Sequence, residues 1–110
     1  MEHQVREEQG AVVVSLIGDV DLDSSPRARE VLLECVARKV HVVVDLSGVA
    51  YMDSSGVASL VEALQTAKRN SSSFALAAMQ ATPLRVLELA RLDRVFDIFE
   101  TVEEGLGAAS

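Results

Sequence analysis

From Val40 to Leu46 the chain reads VHVVVDL, apolar almost without alternation. That run constrains the fold more than any other stretch. A strand with one wet face alternates apolar and polar residues, whereas a strand covered on both faces by helices does not. The run therefore predicts a central strand, parallel to its neighbours.

The flanking segments supply the covering layers. Ala28, Val31, Leu32, Cys35 and Val36 repeat at the spacing of one helical stripe, and so do Val57, Leu60, Val61, Leu64 and Ala67. The first helix is expected to start with Ser25 as cap and Pro26 as its first residue, and to end near Arg38 and Lys39, which suit the negative end of the helix dipole. Asn70 is expected to stop the second helix in the left-handed conformation. Upstream, His3 to Glu8 reads as an edge strand and Ala11 to Ile17 as its apolar partner, joined at Gln9-Gly10. Downstream, Phe74 to Met79 reads as a strand and Thr82-Pro83 as a cap-plus-proline helix start, with the helix carried on through Leu84, Leu87 and Glu88 to Ala90–Leu92. Val95 to Phe99 follows as a short strand, then a terminal helix behind the capping pair Thr101 and Glu104, diluted by Gly105 and Gly107. The fold class is α/β: about five strands in one mixed sheet, opened by an antiparallel hairpin and continued by parallel strands, packed with about four helices. Residues 1–110 form a single domain, long enough to bury a core without a disulfide or a metal.

Composition narrows the function. The net charge is −7 and the pI about 4.7, which argues against nucleic acid as a partner and favours a basic protein surface. Cys35 has no second cysteine to pair with and lies on an apolar helix face, as a buried thiol would. The amino terminus lacks signal-peptide architecture and no apolar run reaches the roughly 18 residues that a membrane span needs. A cytoplasmic setting without direct membrane insertion is expected.

Chemistry concentrates at Asp53-Ser54-Ser55-Gly56, where the central strand gives way to the second helix. The first N–H groups of a helix have no intrahelical partner and favour negative charge, so the Ser55 hydroxyl there is a plausible phosphate acceptor. The same residues also suit ordinary helix capping. A hydrolase elbow needs glycine two residues either side of its serine, and Asp53 and Val57 stand there instead. The two histidines, His3 and His41, read as structural, which leaves a serine nucleophile without a base. Asp19, Asp21 and Asp23 alternate as in a calcium loop but lack its glycine and distal glutamate. No metal site, cofactor or enzymatic activity is expected. In a parallel sheet, however, the Asp19–Ser25 and Asp53–Gly56 loops both follow strand carboxyl ends, so they should form one surface.

The segment VVVDLSGVAYMDSSGVASLVEAL, together with the Gly18-Asp19-Val20-Asp21 loop, resembles the STAS domain, and the similarity spans nearly the whole chain. That fold is shared by bacterial anti-sigma-factor antagonists and by the cytoplasmic domains of sulfate transporters. The resemblance implies a stand-alone antagonist. Its partners would be an ATP-dependent serine-kinase anti-sigma factor, which modifies Ser55 and then releases it, and a metal-dependent serine phosphatase that resets the switch. The partner-binding surface would comprise Asp21, Asp23, Ser24, Asp53, Ser54, Ser55 and Gly56. A different use of the same domain is also open: a constitutive scaffold, such as the accessory subunit of a lipid-transporting ABC complex. Asn70 and the serines after it replace a glycine often found in the family after the second helix.

Overall fold

A computed structural model describes residues 1–108. The elements run β1 (Glu2–Glu8), β2 (Ala11–Ile17), α1 (Ser25–Val36), β3 (Val42–Gly48), α2 (Ser54–Arg69), β4 (Phe74–Ala77), α3 (Ala81–Leu89), β5 (Asp97–Phe99) and α4 (Val102–Gly107). One sheet takes the strands in chain order, with β1 and β2 antiparallel and every later pair parallel. The expected architecture is the observed one.

Strand alternation divides the core in two. Val12, Val14 and Leu16 of β2, Val42, Val44 and Leu46 of β3, and Phe74 and Leu76 of β4 face the apolar stripes of α1 and α2, joined by Leu87 of α3. On the opposite face Ala11, Val13, Val43 and Ala77 pack under Leu106 of α4. This two-sided burial is why β3 lacks alternation. The second cover is smaller than the apolar run suggests, because α4 has only six residues. Beyond the apolar cluster that face turns polar: the Ser15 hydroxyl donates to Asp45 Oδ2 at 3.2 Å, and Arg6 Nη1 approaches Ser15 Oγ at 3.5 Å.

Several element ends differ from expectation, each for a local reason. β3 starts at Val42, not Val40, because its pairing with β4 begins at Val42 opposite Phe74, while His41 turns its ring to Ser73 Oγ and the Gly105 carbonyl. It extends to Gly48, which pairs with Ile17 beyond a bulge. Ser24, not Ser25, occupies the cap position of α1, and its hydroxyl folds back to the Asp19 carbonyl instead of capping the helix. α1 ends at Val36, so Arg38 and Lys39 lie past the last turn, with Lys39 left-handed at φ 59°.

After α2 the left-handed residue is Ser71 (φ 57°), one later than expected, while Asn70 stays at φ −88°. Ala78 turns the chain out of β4 at φ 58°, two residues early. Gln80 then takes the cap position of α3 in place of Thr82, and its amide donates to the Ser47 carbonyl at 2.8 Å. α3 stops at Leu89 because Arg91 is left-handed (φ 59°). β5 is short because Phe96 leaves the strand direction to enter the core beside Phe74.

Thr101 caps α4 as expected, accepting from the Glu104 N–H at 3.1 Å. The Glu104 carboxylate meets the Thr101 hydroxyl rather than the backbone. Gly105 does more than dilute this helix: a Cβ there would sit 3.1 Å from Val43 Cγ1, so the missing side chain lets α4 approach β3.

Leu60 is only 1% exposed at the α2 contact with the main core. Leu60→Ala is expected to cost about 2–5 kcal/mol in urea unfolding; a loss below about 1 kcal/mol would contradict this core assignment.

Candidate functional site

The start of α2 is built around one carboxylate. Asp53 is extended (φ −101°, ψ −171°) and its Oδ1 accepts from the Ser55 N–H at 2.9 Å and the Gly56 N–H at 3.2 Å, as an N-cap should. The Ser55 hydroxyl donates to the same oxygen at 2.6 Å. The Leu22 backbone N–H, on the preceding loop, adds a smaller stabilising influence on the ionised carboxylate. The Ser55 hydroxyl above all, with the backbone groups of Gly56, Ser55 and Leu22, holds Asp53 below the usual carboxylate range despite some desolvation.

That preceding loop and the start of α2 are one hydrogen-bonded unit. Val20 and Met52 form a parallel bridge; the Val20 N–H donates to the Tyr51 carbonyl at 3.1 Å and the Asp53 N–H to the Val20 carbonyl at 3.3 Å. Gly56 is packed beneath this bridge. A Cβ at Gly56 would stand 2.6 Å from Met52 Cγ and 2.7 Å from the Val20 carbonyl oxygen, so no side chain fits without moving backbone. Ser59, one turn on, is buried and donates to the Ser25 and Ser55 carbonyls, pinning the start of α1 to α2.

The structure thus brings the two loops together, as parallel topology requires. Ser54 is exposed and Ser55 half-buried, so the Ser55 hydroxyl is not enclosed in the core. Asp21 and Ser24 are partly spent on their own turn: Asp21 Oδ1 accepts from the Asp23 N–H, the Ser24 N–H and the Ser24 hydroxyl. Asp23 is exposed. His41 is engaged at the far end of β3, and Cys35 is buried, with desolvation pushing its thiol pKa up. Neither belongs to this surface.

Sequence reasoning missed Leu22 and Tyr51. Leu22 is 74% exposed and Tyr51 47% exposed, so each of the two loops presents apolar area to solvent. Their signal was present, since large apolar residues sit in loops that carry no core periodicity.

Comparison with known proteins identifies the family. The STAS domain profile matches residues 2–105. The chain belongs to the STAS domain family. Among curated relatives, the anti-sigma-B factor antagonist of Bacillus subtilis is 26% identical over 93% of this chain and 94% of its own length. The anti-sigma-F factor antagonist RsfB of Mycobacterium tuberculosis is 29% identical over 93% of this chain and 84% of its own. The crystal structure of an anti-sigma factor antagonist from Mycobacterium paratuberculosis superimposes with a TM-score of 0.90 at 26% identity, covering 98% of this chain and 92% of that one. The phosphorylated form of the Bacillus cell fate determinant SpoIIAA shares the fold, with a TM-score of 0.74 at 18% identity over 99% of this chain and 100% of that one. Among the described residues no helix is long and apolar enough to cross a membrane.

Two outcomes follow for the STAS loop pair. Gly56→Ala forces the Val20–Met52 bridge apart and is expected to destabilise the fold by about 1–3 kcal/mol, measured by urea unfolding; an unchanged midpoint would refute the packing argument. Asp53 has a depressed pKa in the folded state, so its ionised form contributes stability above the ordinary carboxylate range and loses it as pH falls through the depressed value. The stability difference between wild type and Asp53→Asn should therefore favour wild type near neutral pH and shrink in acid. A difference independent of pH would contradict the assignment.

Proposed function

We propose that this chain is an anti-sigma-factor antagonist whose hold on its partner is switched by phosphorylation of Ser55. One observation carries the reading: in a STAS domain with antagonist relatives, the Ser55 hydroxyl is half-buried at the start of α2, oriented by Asp53 and flanked by a second loop. The partner is an anti-sigma factor that is itself an ATP-dependent serine kinase, and a metal-dependent serine phosphatase reverses the modification. The contact surface comprises Asp21, Asp23, Ser24, Asp53, Ser54, Ser55 and Gly56. The chain acts in the cytoplasm as a binding module, not a catalyst. His41, which could serve a serine nucleophile as base, has one ring nitrogen on Ser73 and the other on the Gly105 carbonyl.

Magnitudes set the direction of the switch. A phosphate brings about −1.5 to −2 charges, and a helix start stabilises it by only about 0.3–1 kcal/mol. Phosphorylation also removes the hydroxyl proton that Asp53 accepts and sets anionic oxygens beside that carboxylate, which offsets part of this gain. Folding changes little. Against a partner surface shaped for a neutral hydroxyl, unpaired desolvation costs several kcal/mol, and each 1.4 kcal/mol is about tenfold in affinity. Modification releases the partner.

Incubating the protein with its cognate kinase and ATP is expected to place one phosphate on Ser55, mapped by mass spectrometry. Ser55→Ala should fold, bind and resist modification, whereas Ser55→Asp should bind at least tenfold more weakly. Modification confined to other residues, or equal affinities for the two variants, would overturn the proposal.

A further inference from the structure

At the end of β3 away from Asp53, the sheet holds a second set of polar side chains that the antagonist reading does not use. His41 stands two residues before Val43, in line with the strand face that α4 covers. Its Nε2 lies 2.8 Å from the Gly105 carbonyl oxygen and its Nδ1 2.5 Å from Ser73 Oγ. A carbonyl only accepts, so Nε2 carries the proton; in the neutral ring Nδ1 is then a bare acceptor, and the Ser73 hydroxyl donates to it. Backbone bonds fix both residues: the Val42 N–H donates to the Ser73 carbonyl at 3.0 Å and the Val12 N–H to the His41 carbonyl at 2.9 Å. The missing Cβ that lets Gly105 approach Val43 also brings its carbonyl within reach of the ring.

A hollow of about 290 Å³ opens beside this pair, lined by Lys39, His41 and the three serines 71–73, with the Gln9–Gly10 turn. Ser73 is exposed and His41 half-buried, so the hydroxyl is open to a small molecule. No carboxylate lines the hollow, although the chain carries a net charge of −7. Glu7, in the adjoining hollow, faces Arg38 at 3.9 Å. Lys39 has no carboxylate within salt-bridge distance among the described residues. Ser72, which also lines the hollow, has a buried hydroxyl with no hydrogen-bond partner, a donor that the fold itself leaves unused.

We infer that Ser73 is a nucleophilic modification site that takes an acyl group from a small acyl phosphate. A hydroxyl bonded to an imidazole whose other nitrogen is held by a third group is the arrangement that activates a serine. The Ser73 oxygen attacks the acyl carbon as its proton passes to His41 Nδ1. The bond from that carbon to the phosphate oxygen breaks, and His41 returns the proton to the departing phosphate, leaving a serine ester and inorganic phosphate. The Gly105 carbonyl, in the last turn of α4 at the negative end of that helix, favours the imidazolium formed on the way. Lys39 selects the donor class: it supplies the positive charge that a phosphate needs, and no carboxylate of the lining repels one. The Ser72 hydroxyl is available to the acyl oxygen. The outcome is one stable modification without turnover, and it does not rest on the antagonist reading.

Incubating the full chain with acetyl phosphate is expected to place one acetyl group on Ser73, located by tandem mass spectrometry and released by alkaline hydroxylamine, which cleaves an ester and spares a lysine amide. Ser73→Ala should lose that ester. His41→Gln keeps a donor for the Gly105 carbonyl but no base, so acetylation of Ser73 should slow about tenfold or more in a protein whose circular dichroism matches wild type. Lys39→Gln should raise the acetyl phosphate concentration needed for half-maximal rate, and an unaltered requirement overturns the choice of acyl phosphate. Equal rates in wild type and folded His41→Gln reduce the His41–Ser73 bond to a structural tie and overturn the site. If His41→Gln does not fold, the wild type decides: acetyl groups confined to lysines, or spread evenly over the exposed serines, overturn the proposal. None of these outcomes bears on the antagonist reading, which modification of Ser55 tests separately.

Discussion

Three donors converge on one oxygen of the Asp53 carboxylate, and the surface of this protein is organised by that convergence. All three come from the first turn of α2: the Ser55 and Gly56 N–H groups and the Ser55 hydroxyl. A cap satisfied only by its own helix would fix a helix end and nothing more. Here the backbone N–H of the same residue donates to the Val20 carbonyl of the β2–α1 loop, and the Val20–Met52 bridge runs beside it. The absence of a side chain at Gly56 is what permits the closeness. A Cβ there would drive against Met52 and the Val20 carbonyl and push the two loops apart.

The parallel sheet places these loops together before any side chain acts. β2 and β3 run side by side in parallel, with Val12 opposite Val42 and Val14 opposite Val44, so their carboxyl ends finish at one edge. The apolar run that begins this register is therefore the remote cause of the site. Its cost is a strand that needs covering twice. α1 and α2, joined by Leu87 of α3, cover one face, while α4 protects the other only over Ala11, Val13, Val43 and Ala77. The remainder carries the Ser15–Asp45 hydrogen bond in place of apolar packing.

Burial pattern made most of this legible in advance. The five strands, the four helices, the stripe of α1 and the meeting of the Asp19–Ser25 and Asp53–Gly56 loops all follow from periodicity and topology. Element ends were less legible, because they are set by single left-handed residues that carry no compositional mark. Lys39, Ser71, Ala78 and Arg91 take positive φ in place of the glycine or asparagine that usually signals it. Local backbone bonds accompany two of them: the Ser72 N–H reaches back to the Ala67 carbonyl and the Leu92 N–H to the Leu87 carbonyl, closing α2 and α3 after their last turns. Val61 has the spacing of a core residue, and only the turn at Arg91 leaves it partly uncovered.

Net charge illustrates how far composition can carry a functional argument. A value of −7 points to a basic partner when spread evenly, yet charge in this fold is sorted by position. Asp19, Asp21, Asp23 and Asp53 collect at the strand carboxyl ends, whereas Lys68 and Arg69 lie in the last turn of α2, where the helix dipole is negative. The same helix therefore carries an acidic surface at its start and a basic one at its end. A phosphate added at the start deepens an asymmetry that the backbone has already set. On the proposed reading such a phosphate rejects a partner without altering the fold, because the Ser55 hydroxyl lies at the surface and not in the core.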